Sequence, residues 1–222
     1  MATPARAAPP PPAPVTYPES DGEPMADNTE QFDFISMVQG NLDALLPDFV
    51  AGDHLWYPVE GRPDIRVAPD VYVALSRPKG PRGSYLQWKE AGVPLTVVFE
   101  WWSPNSTFAK ELAKLRFYDR HGVSEFYTWD QVRQQFAAFV REGNELVPVN
   151  VDGGFVSPRL GIRFAVTDDA VGIFRPDGKP FRSYRELTAE RDAAAAERDA
   201  AAAERDGLKA KLRAMGINPD AP

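Results

Sequence analysis

The stretch Leu95-Thr96-Val97-Val98-Phe99-Glu100-Trp101 decides the fold of this 222-residue chain. It is nearly all apolar and β-prone, which predicts a short strand buried at the centre of a sheet. The turn Ser103-Pro104-Asn105 follows, and residues 107–121 then repeat apolar side chains at helical steps, with Gly122 as a stop signal. The segment therefore predicts a strand–turn–helix unit in which the helix folds back along the strand.

Elements on both sides of this unit follow from the same periodicities. A helix should begin at Asn28 or Thr29, either of which can cap it, and end at Pro47. Its apolar stripe consists of Phe32, Ile35, Val38, Leu42 and Leu45. The segment 49–61 is aromatic and rich in turns. Strands are predicted, in chain order, at residues 66–75, 125–129, 136–141, 146–151, 161–166 and 171–174, with Gly143-Asn144 as a hairpin turn.

The two ends of the chain differ from its middle in composition. Residues 1–27 are rich in proline and alanine and should be disordered, residues 28–185 should form the folded domain, and residues 217–222 should be disordered again. Residues 186–216 form an alanine-rich helix with a seven-residue repeat and this seam of small residues: Ala189, Ala193, Ala196, Ala200, Ala203, Gly207, Ala210 and Ala214. A coiled coil that pairs two chains as a homodimer and a lone solvated helix both fit, because alanine buries little area.

Composition excludes several kinds of chemistry. The chain has no cysteine, so it has no disulfides, thiolate metal ligands or cysteine nucleophiles. Its two histidines, His54 and His121, are too few for a histidine-rich zinc site, and any metal should be held by carboxylates, which favours magnesium, manganese or calcium. No apolar run is long enough to span a membrane or act as a secretory signal, so we expect a cytoplasmic protein.

The net charge of −7 is unevenly distributed. Residues 1–61 carry a balance of −9, residues 62–120 a balance of +4, and residues 121–222 a balance of −2. Contacts with phosphate depend on local potential rather than on total charge, so the central segment is compatible with a nucleic-acid partner. Ten dispersed cations are equally compatible with a solvated surface.

Two carboxylates stand where carboxylates are normally avoided. Asp70 lies between Val67 and Val71 in an apolar setting, and Glu100 follows Val97-Val98-Phe99. A buried charge is costly unless it is paired or bound to a metal, so both are candidate functional residues. Lys114 falls fourteen residues after Glu100, on the predicted helix, and should approach it. A structural ion-pair network remains the alternative interpretation.

This trio meets the needs of phosphodiester hydrolysis. Two carboxylates can hold a divalent ion, which lowers the pKa of a bound water and neutralises charge in the transition state. A nearby ammonium orients the nucleophile or stabilises the phosphate. Lys110, Lys114 and Tyr118 share one helix stripe. Further candidate phosphate contacts are Lys110 and three cations of a Gly/Pro-rich loop, for which a solvated loop is the alternative: Arg77, Lys79 and Arg82.

Several segments, in this order and at these spacings, resemble the Uma-type restriction endonucleases of the PD-(D/E)XK nuclease superfamily. The resemblance covers roughly residues 25–187. The segments are residues 49–58 (Phe-Val-Ala-Gly-Asp-His-Leu-Trp-Tyr-Pro), 68–71 (Ala-Pro-Asp-Val), 98–100 (Val-Phe-Glu) with 103–105 (Ser-Pro-Asn), 114–118 (Lys-Leu-Arg-Phe-Tyr), 122–127 and 156–164.

This resemblance implies an α/β (α+β) fold with a central mixed β-sheet flanked by helices. It also implies a Mg²⁺- (or Mn²⁺-) dependent DNA endonuclease. Asp70 matches the first acid of the motif and Glu100 the second, and both would bind the metal. The lysine is displaced from position 102, here Trp102, onto the helix, where Lys114 matches it.

The chain departs from the family pattern at three places. Trp101-Trp102 replaces smaller aliphatic residues, the usual Asp-Pro turn is absent at residues 128–131, and Lys110 stands where an acidic residue is common. Like charges one turn apart predict a lowered pKa for Lys114. The alternative function is therefore a catalytically impaired nuclease fold that binds nucleic acid or a protein. A weaker alternative is an assembly protein with a nuclease-like scaffold.

Overall fold

The computed structural model describes residues 15–22, 24–167, 170–216 and 218, and it divides the chain into two compact units, residues 1–180 and 181–222. Among the described residues, the first unit contains two helices and eleven strands, besides a single 3₁₀ turn at Gln87–Lys89. They are α1 (Thr29–Leu45), β1 (Asp48–Gly52), β2 (Trp56–Tyr57), β3 (Val71–Pro78), β4 (Tyr85–Leu86), β5 (Val97–Trp102), α2 (Phe108–Arg120), β6 (Glu125–Asp130), β7 (Gln135–Glu142), β8 (Glu145–Val149), β9 (Phe155–Val156), β10 (Arg163–Val166) and β11 (Val171–Phe174).

A six-stranded mixed sheet in the order β1-β3-β5-β6-β7-β8 forms the body of this unit. Its one parallel pair is β5 with β6, and α2 makes the crossover between them. Because β5 and β6 lie inside the sheet, nearly all of their residues are buried. The mixed α/β architecture and the strand–turn–helix unit are confirmed. Two small sheets, β11-β10-β9 and β2-β4, accompany the main one.

Helix α1 begins where the sequence predicts. The Asn28 side chain accepts a hydrogen bond from the backbone N–H of Gln31, which makes Asn28 the N-cap. The predicted stripe is wrong at its first member, because the side chain of Phe32 is 50% exposed. The buried side begins one residue earlier, with a polar residue: Gln31, Phe34, Ile35, Val38 and Leu42.

The predicted strand at 66–75 is wrong in its first half. Val67 forms only an isolated bridge with Trp56, and β3 begins at Val71, so Asp70 lies just before the strand. Proline at position 69 lacks the N–H that a sheet ladder needs, which accounts for the late start. Conversely, the segment after α1 contains the edge strand β1. The turn-rich composition of this segment does not predict a strand.

Part of the proline-rich N-terminal segment packs against later residues of the same unit. The Tyr17 ring packs against Tyr57 and Trp88, the Tyr17 hydroxyl oxygen accepts a hydrogen bond from the Gly61 N–H, and the Tyr57 hydroxyl donates one to the Pro18 carbonyl. Residues 1–14 and 23 lie outside the described residues. The disorder of residues 1–27 stays a prediction.

The second unit consists mainly of α3 (Tyr184–Ala214). A capping box of Ser183 and Glu186 starts this helix, and none of its residues is buried. Of the predicted disordered end, only Asn218 belongs to the described residues. Throughout the part of the chain that the structure describes, no helix combines the length and apolar character that a membrane span requires.

Candidate active site

The two candidate carboxylates face each other across neighbouring strands. Strands β3 and β5 pair with Val71 opposite Phe99, and continuing this register by one residue places Asp70 opposite Glu100. The Trp101 backbone N–H donates a 2.6 Å hydrogen bond to the Asp70 carboxylate. Side chains directly opposite in an antiparallel pair lie on the same face, so the strand register brings the two acids together.

Helix α2 brings two donors to Glu100, whose side chain is only 1% exposed. The Lys114 ammonium donates to Oε2 at 2.7 Å, and the Tyr118 hydroxyl donates to Oε1. Lys114 and Tyr118 lie one turn apart, so the predicted stripe is confirmed at these two positions. Lys110, one turn earlier, is exposed.

Lys114 is held as a cation. Its ammonium also donates to the Ala68 carbonyl at 3.4 Å, and its side chain is 30% exposed. Burial alone would lower the pKa of Lys114, but the charges of Glu100 and Asp70 outweigh burial and raise it. The prediction that Lys110 lowers this pKa is therefore wrong, because the buried carboxylates are the stronger influence.

Asp70 has the most perturbed carboxyl group of the site. Burial raises the pKa of Asp70 to about 7, and the neighbouring charge of Glu100 contributes to the rise, against the effects of Lys114, the Trp101 N–H and Gln31. Near neutral pH the group is therefore divided between its charged and neutral forms. A divalent cation between the two acids would favour the charged form of both.

The sequence interpretation missed a polar residue that contacts this carboxylate. Gln31, only 8% exposed, donates from Nε2 to Asp70 Oδ1 and Oδ2 at 3.2 and 3.3 Å and to the Trp101 carbonyl at 3.4 Å. Its signal was available in the sequence, because a glutamine continues the apolar stripe of α1 by one helical step. The predicted stripe begins at Phe32 instead.

The end of β1 supports the loop that carries Asp70. The Asp53 N–H is 3.1 Å from the carbonyls of both Pro69 and Asp70, and Asp53 has a left-handed backbone with φ of 45°. A Cβ atom at Gly52 would lie 3.0 Å from the Asp70 carbonyl oxygen, so a larger residue there would displace the loop. Glycine at position 52 thus allows the close approach of the two segments.

The loop cations do not gather around the trio. Arg77 and Lys79 lie toward the opposite end of β3 from Asp70, about 20 Å away at the rise of an extended strand. Lys79 pairs with Asp43 at 3.0 Å, and Arg82 pairs with Glu90 at 2.7 Å. The Arg77 Nε is buried and has no hydrogen-bond partner among the described residues.

A further buried carboxylate, Glu125, has a structural explanation. It accepts hydrogen bonds from the Tyr127 and Ser157 hydroxyls at 2.6 and 2.5 Å and from the Arg159 N–H at 2.7 Å. The donors from Ser157 and Arg159 tie β6 to the turn before β10. Glu125 is thus satisfied without a metal or substrate.

The donor set at the candidate site fits magnesium or manganese. Each oxygen of an ionised carboxylate can accept more than one contact. The two facing carboxylates therefore have lone pairs left to bind a cation beside the donors already present. Within the described residues no group of three histidine, cysteine, aspartate or glutamate side chains could hold a metal. Magnesium suits such a site, because it usually binds one or two carboxylates and keeps several waters.

The mixed sheet with its facing acids and helix-borne lysine places the protein in the class of restriction-endonuclease-like folds. The chain belongs to the Uma2 family, described as "Putative restriction endonuclease", whose profile matches residues 11–171. Membership supports nuclease function. Among solved structures, the chain is similar to a crystal structure from Anabaena variabilis ATCC 29413, titled as a "putative nuclease belonging to DUF820". The TM-score is 0.40 and the identity 13%, over 59% of this chain and 71% of that one. No curated protein matches the chain.

Proposed function

We propose that this protein is a divalent-metal-dependent endonuclease that hydrolyses phosphodiester bonds in DNA, acting in the cytoplasm. The observation that carries the proposal is the contact of Glu100 with Lys114 and its position opposite Asp70, whose pKa is raised to about 7. Buried acids with perturbed pKa values beside a lysine are typical of catalytic sites.

Each residue of the trio has a role in this proposal. Asp70 and Glu100 would hold Mg²⁺ or Mn²⁺, which when bound would lower the pKa of a water and neutralise negative charge on the phosphate. Lys114, kept charged by its carboxylate neighbours, donates to a phosphate oxygen or to the attacking water. Tyr118 fixes the orientation of Glu100 through its hydroxyl. Lys110, Arg77, Lys79 and Arg82 are proposed as outer contacts with the phosphate backbone.

A cleavage assay tests the proposal directly. Supercoiled plasmid and single-stranded DNA are incubated with the full chain, with Mg²⁺, with Mn²⁺ and with a chelator. We expect nicking of the plasmid that requires a metal and is lost in Glu100→Gln. Cleavage that persists in Glu100→Gln, or complete inactivity with both metals on both substrates, would contradict the proposal.

Complete inactivity would instead favour the second candidate function, a catalytically impaired module that binds nucleic acid. The observation behind it is that both oxygens of Glu100 already accept hydrogen bonds, from Lys114 and Tyr118. A metal must compete with or adjust to these contacts. Retained DNA binding without cleavage in a gel-shift assay would identify this case.

We also propose that α3 pairs two chains into a homodimer through its small-residue seam, which would present two sites to the two strands of a duplex. Acidic residues line both sides of the seam: Glu190, Glu197, Glu204, Asp192, Asp199 and Asp206. Such flanks repel each other in a pair of identical helices, and salt screens this repulsion.

Sedimentation therefore gives a specific expectation for the tail. The full chain should have a dimer mass whose fraction increases when the salt concentration is raised from about 0.05 M to about 0.5 M. A chain truncated after Arg185 should be monomeric at both concentrations. Equal masses for the two chains at both salt concentrations would exclude the tail as the dimer contact.

A further inference from the structure

A chain of hydrogen bonds links the start of α1 to the end of β5, where the candidate site lies. The Gln31 side chain is its central member, because Oε1 accepts from the Asp27 N–H at 2.9 Å and Nε2 faces Asp70 and the Trp101 carbonyl. The Ser103 hydroxyl in turn donates to the Asp27 carboxylate. Asp27 thus connects Gln31 to the residue that follows β5.

These contacts fix which end of the Gln31 amide faces the acid. The oxygen meets an N–H donor, and the nitrogen meets a carboxylate and a carbonyl, which only accept. Turning the amide over would place oxygen against oxygen on one side and nitrogen against N–H on the other. The amide of Gln31 therefore has one satisfactory orientation, with its donor toward Asp70.

We propose that Gln31 is a positioning residue of the active site, which holds the Asp70 carboxylate against the Trp101 N–H, in the orientation in which Asp70 together with Glu100 would hold the metal. This inference rests on the proposed function for its catalytic meaning. Gln31 acts through Asp70 and takes no part in bond breaking. Partners of metal ligands commonly set ligand orientation, and their loss costs about 10–100-fold in metal affinity or activity.

Three substitutions separate the donor from the shape of the side chain. Gln31→Leu removes the amide and keeps much of its volume. Gln31→Glu keeps the shape but replaces the donor by an oxygen that repels Asp70. Gln39→Leu is the matched control, because Gln39 lies two turns along the same helix, whereas the donors to the Asp70 carboxylate among the described residues are Gln31 and Trp101.

The first measurement is Mn²⁺ binding by calorimetry, together with the cleavage rate as a function of Mn²⁺ concentration. We expect Gln31→Leu to weaken Mn²⁺ binding by about 10–100-fold, with most of the rate recovered at saturating metal. Gln31→Glu should also change the metal dependence, whereas Gln39→Leu should bind and cleave like the wild type. A general loss of folding would not produce recovery by added metal.

The second measurement needs neither metal nor activity. The urea midpoints of Gln31→Leu, Asp70→Asn and the double variant form a cycle in chelator, and residues in contact give non-additive effects. Additive midpoints, or wild-type Mn²⁺ binding and cleavage by Gln31→Leu, would overturn the role of Gln31. A wild-type protein that cleaves no DNA would overturn the proposed function, and the urea cycle would still decide whether Gln31 positions Asp70.

Discussion

Replacing Asp70 with asparagine should abolish DNA cleavage and, at the same time, stabilise the metal-free protein. Loss of one of the two carboxylates proposed to bind the metal should reduce the rate by roughly 1000-fold or more. The stabilisation follows because Asp70 is buried opposite a second acid. Asparagine removes that charge and retains an oxygen that can accept the Trp101 N–H. The measurements are plasmid nicking with Mg²⁺ and thermal unfolding in chelator.

The stability effect of this substitution should depend on pH. The pKa of Asp70 in the folded protein, about 7, lies above its ordinary value of 3.8, so the folded state holds the proton more tightly. The free energy of unfolding of the wild type therefore decreases as pH rises from about 4 to 8, by at most on the order of 4 kcal/mol. Asp70→Asn should not lose stability in this way as pH rises. Its Tm at pH 8 should therefore exceed that of the wild type by about 5 °C or more.

A matched control for this prediction is Asp64→Asn. Asp64 lies on the surface of the same unit, where it pairs with Arg62 at 2.6 Å, and its substitution should change neither cleavage nor the pH dependence of Tm. Added Mg²⁺ should raise the Tm of the wild type more than that of Asp70→Asn, because metal bound to the folded state stabilises it. A variant of Asp70 that is less stable than the wild type at pH 8 would refute the charge argument.

Replacing Lys114 with methionine is the second substitution with a large expected effect. Methionine fills similar space but cannot donate to Glu100 or to a phosphate, so the cleavage rate should decrease by about 1000-fold. Glu100 would remain buried with Tyr118 as its remaining donor from α2, which should cost about 3–5 kcal/mol of unfolding free energy. The measurements are single-turnover cleavage at saturating Mg²⁺ and urea unfolding.

Lys110→Met provides the comparison on the same helix. Lys110 is exposed one turn before Lys114, so this variant should fold with wild-type stability and lose at most a modest part of its DNA affinity. Lys114→Arg should recover stability, because a guanidinium also pairs with a carboxylate, without recovering the full rate. Wild-type cleavage by Lys114→Met would remove the lysine from the proposed mechanism.

The strand–turn–helix unit was predictable because everything that forms it is local. Val97-Val98-Phe99 identifies the strand, and Thr107 and Gly122 mark the two ends of the helix. The spacing of Glu100 and Lys114 is compatible with the ion pair that these two side chains form. The hairpin of β7 and β8 was predictable for the same reason, since its turn is encoded by Gly143 and Asn144.

The remaining features depend on contacts between distant segments. Pro69 accounts for the start of β3 at Val71, but the bridge of Val67 to Trp56 is a tertiary contact that the local sequence does not indicate. Gln31 is 39 residues from Asp70 in the sequence. The spacing of apolar residues along α1 therefore does not predict that the Gln31 side chain contacts Asp70. The pKa of Lys114 was mispredicted because the neighbour on the helix, Lys110, was considered without the buried acids.

The burial of Asp70 opposite Glu100 has a consequence for how this chain can change over generations. Most substitutions in a protein core lower stability, and selection removes them on that ground. Asp70→Asn, by contrast, is expected to end cleavage and to make the metal-free fold more stable. Selection for folding stability therefore does not act against the loss of this acid. Under the proposed function, an intact Asp70 is then maintained by selection for activity itself. If that selection is relaxed, a substitution of Asp70 that yields an inactive binding protein has no cost in folding stability.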